Sequence, residues 1–118
     1  MTGKTLTRFV LTTIILLSST LLSHAVEDQS GIASVYSGGL TANGETAHVS
    51  HLTAAHRTLP FGTLVKVTHK HSGRSVVVRI NDRGPFIRGR VIDLTPAGAK
   101  VLGFDGLAPV TLTVVGRA

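Results

Sequence analysis

Between residues 63 and 115 the chain runs in short apolar stretches broken by glycine, proline and histidine. Residues 63–69 set Leu64, Lys66 and Thr68 against Val65 and Val67, the period of two expected of a half-buried strand. Lys70-His71-Ser72-Gly73-Arg74 supplies a hairpin connection, and residues 75–80 form the return strand. Residues 90–94 and 110–115 give two more strands, the second preceded by Pro109. Upstream, residues 31–36 alternate weakly and close at Ser37-Gly38-Gly39. Thr95 as cap, Pro96 at the first helical position and Gly103 at the stop frame a short helix. Residues 40–56 follow neither period and predict a long functional loop. Short strands, one short helix and many turns point to a small, mainly β barrel in one domain.

The N-terminal residues carry a different pattern. Lys4 and Arg8 precede an apolar stretch from Phe9 to Leu22, and Ser23-His24-Ala25 offers a small-x-small cleavage site. This is the pattern of a secretory signal peptide over residues 1–25, too short and too weakly flanked for a stable membrane span, the alternative being an uncleaved N-terminal anchor, with the domain over residues 26–118. The expected location is periplasmic or secreted, with no stable membrane span after cleavage. The sequence has no cysteine, so the domain needs no disulfide and offers no lipid-attachment thiol.

Charge narrows the partners. Residues 26–118 hold ten Lys or Arg against six Asp or Glu, about +4. Such a surface suits nucleic acid, anionic lipid or an acidic polymer of the cell envelope, or it serves solubility alone. Export and the short supply of aromatic residues argue against nucleic acid.

Three carboxylates are candidates for chemistry. If residues 76–83 stay extended, Asp82 shares a face with Val76, Val78 and Ile80, where apolar surroundings would raise its pKa as a general acid requires. Alternatively, Asp82 hydrogen-bonds the Gly84-Pro85 turn. Asp93 ends a second apolar strand and either acts with Asp82 or favours the helix N-terminus. A turn through Gly84, Pro85 and Gly89 could set these two strand ends side by side. Glu45 follows an Asn43-Gly44 turn that could present it at a cleft, or it is simply solvated. Five histidines remain after the leader, yet His48-x-x-His51 has no helical frame and there is no cysteine, so no metal and no cofactor are expected. His56 is better suited to sugar binding or to positioning an acid.

Several stretches follow one another in a familiar order: Gly31-Ile-Ala-Ser-x-Tyr36, Thr41-Ala-Asn-Gly-Glu45, Thr53-Ala-Ala-His56, Thr58-Leu-Pro-Phe-Gly62, residues 73–86 ending in Asn81-Asp82-Arg83-Gly84-Pro85-Phe86, and Arg90-Val-Ile-Asp-Leu94. Together they resemble the rare lipoprotein A (RlpA) family of bacterial septal-ring proteins. The resemblance implies a six-stranded double-psi β-barrel with one or two short helices, shared with expansins and barwin-like domains. It implies a lytic transglycosylase acting on peptidoglycan glycan strands stripped of their peptides; a monomer is expected, although the sequence carries no signal of oligomeric state. Glu45, His56 and Asp82 fall on the family's motif positions, and Asp93 falls on the acid that related families use for proton transfer. Catalysis is thus expected of Asp93, Asp82 and Glu45, and substrate binding of His56, Tyr36, Arg79, Arg83 and Arg90. Where the family usually has Ser-Trp-Tyr-Gly, this chain has Ser34-Val35-Tyr36-Ser37. The competing expectation is a non-catalytic peptidoglycan-binding or expansin-like wall-loosening module, which needs the basic groove without the acid.

Overall fold

In chain order the structure, a computed structural model describing residues 28–118, has β1 (Gln29–Val35), β2 (Thr53–Ala55), β3 (Thr63–His69), β4 (Ser75–Asp82), β5 (Arg90–Leu94), α1 (Pro96–Leu102) and β6 (Ala108–Arg117). The leader expected over residues 1–25 lies outside the described residues. The strands close into a barrel in the order β1-β5-β2-β4-β3-β6. The hairpin partners β3 and β4 are antiparallel, whereas β1–β5 and β2–β4 are parallel. A parallel pair cannot be joined by a tight turn, so both pairs depend on long connections crossing the barrel. This is the double-psi barrel, with one short helix.

Alternation determines what lies inside. Val65 and Val67 of β3, Val76, Val78 and Ile80 of β4, Ile92 and Leu94 of β5, and Val110 and Leu112 of β6 point inward and are buried together with Ala33 and Ala54. Burying each large aliphatic side chain contributes roughly 1.5–3 kcal/mol, which is how so small a domain holds together without a disulfide. At the β1–β5 contact, backbone proximity demands glycine. A Cβ on Gly31 would lie 2.4 Å and 2.9 Å from the two methyls of buried Val91.

Three expectations are corrected. The stretch 40–56 is not all loop: Thr53, Ala54 and Ala55 form β2, and all three are buried. Three residues of small side chains carry no period, so the strand is invisible to patterning. Second, Asp82 does not share the face of Ile80. Ala54 pairs with Ile80 and Ala55 with Asp82, so β4 bulges at Asn81. The extra residue turns Asp82 outward, away from the core valines. Third, Thr95 precedes the helix but makes no side-chain cap; its hydroxyl donates to the carbonyl of His51 at 2.5 Å. Gly103 ends the helix as expected, in the left-handed conformation (φ 82°), its N–H donating to Ala99 and Lys100.

Candidate functional site on the outer face of the barrel

The bulge and the parallel pairings place four residues in one row across four strands: Ser34 of β1, Asp93 of β5, Ala55 of β2 and Asp82 of β4. Asp82 and Asp93 are therefore not on neighbouring strand ends, as the turn alone suggested. They are separated by β2, which puts their Cα atoms two strand spacings, or roughly 9.5 Å, apart. Ala55 between them is buried and has a single methyl, so nothing rises between the two carboxylates.

Each acid has its own holder. The hydroxyl of Ser34 donates to Asp93 Oδ1. Asp82 Oδ1 accepts the backbone N–H groups of Ala42 and Arg83, both at 2.8 Å. Tyr36, two residues beyond Ser34 and hence on the same face, has a buried hydroxyl that meets no partner of good hydrogen-bonding geometry, with Asp82 at its margin. Burial, and then the negative charge of Asp82 and more weakly of Asp93, push the Tyr36 hydroxyl far above its ordinary pKa. It is a neutral donor with no acceptor properly met, facing two carboxylates.

Glu45 belongs to a turn rather than to the row. The Thr41 hydroxyl reaches Asn43 Oδ1 (2.7 Å) and the Glu45 carbonyl (3.0 Å), and Gly44 takes a positive φ of 94°. The turn docks on the end of β4. Asn81 Nδ2 donates to Glu45 Oε1 at 2.9 Å, and both guanidinium nitrogens of Arg79 reach the same carboxylate at 3.0 and 3.3 Å. Hydrogen bonds from Asn81 and then Arg79 hold the Glu45 carboxyl below its usual range. By fixing this turn, Glu45 also fixes the Ala42 N–H against Asp82.

His56 and Arg83 support the row from behind. The Nδ1 of His56 accepts the N–H groups of Thr58 and Leu59, both at 3.1 Å, so the ring proton sits on Nε2 and donates to Gln29 Oε1 at 2.9 Å. Burial first, then the charges of Arg57 and Arg83, push the His56 pKa down. Its backbone N–H donates to the carbonyl of Asp82. Arg83 donates through Nη1 to the carbonyls of His56 and Leu59, and its guanidinium lies 4.1 Å from the Phe61 ring centroid. Arg90 opens β5 and pairs with Ile32, and the bulge at Val91 returns it to the face of Ser34 and Asp93, further along the strand.

Of the expected residues, the row therefore gathers Tyr36, Asp82 and Asp93. Glu45 with Arg79 forms its near edge, His56 and Arg83 its backing, and Arg90 lies on the same face further along β5. Ser34 and Asn81 were not singled out from the sequence. Neither carried a local signal: the bulge at Asn81 shows only in the β2–β4 register, and only the parallel β1–β5 register brings Ser34 to Asp93. A cleft of about 500 Å³ lies elsewhere, between Val35, one side of α1 and the turn that follows it. It contains neither acid of the row. Among the described residues no group of three or more His, Cys, Asp or Glu is placed to hold a metal ion, and no helix is long and apolar enough to cross a membrane.

Comparison with known proteins agrees with this geometry. Residues 28–112 match the family described as lytic transglycolase. The probable endolytic peptidoglycan transglycosylase RlpA of Nostoc sp. is 58% identical over 95 residues, covering 74% of this chain and 26% of that protein. The endolytic peptidoglycan transglycosylase RlpA of Campylobacter jejuni is 48% identical over 96 residues, covering 76% of this chain and 35% of its own. The chain thus spans about a quarter to a third of the length of these relatives. Among solved structures, the apo expansin of Clavibacter michiganensis superposes with a TM-score of 0.59 at 23% identity, covering 75% of this chain and 50% of the expansin. The Streptomyces papain inhibitor superposes with a TM-score of 0.58 at 26% identity, covering 75% and 94%. The structural likenesses speak to the barrel alone, since one fold carries many functions. With the family match spanning most of the described residues, the chain belongs to the lytic transglycolase family and carries an RlpA-like double-psi β-barrel.

Proposed function

We propose that this chain is an exported lytic transglycosylase that cleaves peptide-stripped peptidoglycan glycan strands. The observation that carries the reading is the row itself: two carboxylates face the same open surface with the Tyr36 hydroxyl between their fields and properly bonded to neither. An unsatisfied buried hydroxyl is costly in a purely architectural surface. It is useful where a substrate hydroxyl or ring oxygen completes the network.

The chemistry needs no water nucleophile. Asp93, protonated, gives its proton to the glycosidic oxygen, the bond from that oxygen to the muramoyl anomeric carbon breaks, and the following sugar leaves as an alcohol. The resulting oxocarbenium-like centre is stabilised by the carboxylate of Asp82. The Asp93 carboxylate then takes the proton of the same muramoyl unit's 6-hydroxyl as that oxygen attacks the anomeric carbon. The product is a 1,6-anhydro ring, and Asp93 recovers its proton. The division of labour follows from the holders. Two backbone N–H donors can only donate to Asp82, whereas the Ser34 hydroxyl can donate to an ionised Asp93 or accept from a protonated one.

The remaining residues position. Glu45, Arg79 and Asn81 clamp the turn that holds Asp82, and His56 with Arg83 fixes the backbone beneath it. Arg79, Arg88 and Arg90 supply positive charge to attract the lactyl carboxylates of a stripped strand. The leader pattern and the peptidoglycan-acting relatives support a location outside the cytoplasm. A closed sheet offers no free edge for pairing with a second copy, which supports a monomer.

The test is incubation of the purified chain with stripped glycan strands and mass analysis of the products. Fragments ending in an anhydro ring, lighter by one water than reducing ends, are expected from the wild type and absent with Asp93→Asn. Strands bound by the wild type but left intact would instead identify a non-catalytic wall-binding module.

A further inference from the structure

We propose that Phe86 and Leu40 form a sugar-stacking subsite beside Asp82, the place where one pyranose ring of the glycan strand is gripped. The two side chains come from different loops, and each is the most exposed large apolar group of its region, Leu40 at 78% and Phe86 at 76%. Both are tied to the acid. Leu40 lies two residues before Ala42, whose N–H is bonded to Asp82, and its backbone bridges to Thr46 across the same turn. Phe86 follows Asp82 by four residues. Its ring packs on Gly84, where Cε2 and Cδ2 would lie 3.5 and 3.7 Å from a Cβ. The ring is thus seated against the loop while most of its surface stays open.

Phe86 is also the most exposed phenylalanine or tyrosine ring among the described residues. Phe61 is stacked by the Arg83 guanidinium, Phe104 packs against the core, and the Tyr36 ring is partly buried.

The chemistry of the patch selects the occupant. Two exposed apolar side chains on the loops that adjoin Asp82 are too small and too divided for a protein partner, which needs about 800 Å² of continuous surface. A pyranose suits them: its C–H face lies on the ring while its edge hydroxyls and glycosidic oxygens reach the acids. The inference rests on the glycan-cleaving reading above and names its substrate contact.

The experiment measures cleavage of stripped glycan strands and, in the Asp93→Asn background, their binding. Phe86→Ala is expected to raise KM and weaken binding roughly tenfold, with kcat within about twofold. Phe86→Leu, which keeps apolar bulk without a flat ring, should recover only part of the binding lost in alanine, and Phe86→Trp should restore wild-type binding. Equal thermal midpoints for all three variants are expected of so exposed a position, and Phe86→Trp provides the comparison if alanine proves less stable. Unchanged KM and binding in Phe86→Ala and Phe86→Leu would overturn the subsite while leaving the enzyme reading intact. A wild-type chain that neither binds nor cleaves the strands would overturn both.

Discussion

Asp82 and Asp93 flank the same residue: Ala55 pairs with Asp82 on one side through a parallel ladder and with Asp93 on the other through an antiparallel one. The chemistry proposed here follows from that arrangement. Strand β2, only three residues long, is what holds two acids of two other strands at a fixed spacing.

Removing either acid should separate binding from turnover. Asp93→Asn is expected to lower kcat by about 10²–10⁴. Asp82→Asn should lower it as well, and Ser34→Ala should do so by less, because it frees the Asp93 side chain without removing it. Release of anhydro-ended fragments checks the rate. Co-sedimentation with stripped strands should show binding retained in all three.

Tyr36→Phe gives an opposed pair of readouts. The hydroxyl is buried with only Asp82 at the margin of hydrogen-bonding geometry, so deleting it should leave the urea midpoint nearly unchanged. Turnover should nevertheless fall by about tenfold or more if that hydroxyl completes its bonding with substrate. A midpoint that falls together with activity would mark the residue as structural.

His56 predicts a pH dependence of stability. Its folded pKa is depressed, so the folded state keeps it neutral while the unfolded chain protonates near 6.5. Stability is therefore fully present above the unfolded value and is lost as the pH falls below it toward the folded value. The urea midpoint should drop between pH 7.5 and pH 5.5. In His56→Asn that drop should shrink, even though the variant is less stable at both pH values from its disrupted turn.

Glu45→Gln tests the clamp. The carboxylate bonds both Arg79 and Asn81, and its lowered pKa places the acid-induced loosening below the ordinary carboxylate range. Amide exchange at Ala42 should speed up in the variant, because its N–H is held on Asp82 only while the turn stays docked. Exchange at core positions such as Val65 should not change.

Gly31→Ala probes the tightest packing. The added methyl meets Val91, a stiff β-branched and buried side chain, so the cost should be about 1–3 kcal/mol by denaturant titration. Combining it with Val91→Ala should recover part of that loss, since the two positions touch.

Much of the barrel was legible as alternation. β3, β4, β5 and β6 declared themselves through valine, isoleucine and leucine spaced by two, and α1 through Pro96 and Gly103. What patterning could not see had a physical reason in each case. Thr53-Ala54-Ala55 has too few large side chains to show a period, and its strand exists because two neighbours supply both ladders. The bulge at Asn81 inverted the face of Asp82, an event that local alternation cannot register. Motif order pointed to Asp82, Asp93, Tyr36 and Glu45, but only the closed topology separates a row of acids from the turn that braces it. Ser34 meeting Asp93 depends on β1 and β5 lying parallel across fifty-nine positions of sequence.

The closing of the sheet by β6 has a consequence for how the protein fails. Residues 108–117 bridge β1 and β3, and the N–H of Ala118 reaches the carbonyl of Gly62 just before β3. Remove that stave and two rims open at once, each a row of unanswered amides and carbonyls. A protease nibbling at this strand would therefore not trim the domain by degrees; it would spring the whole cask.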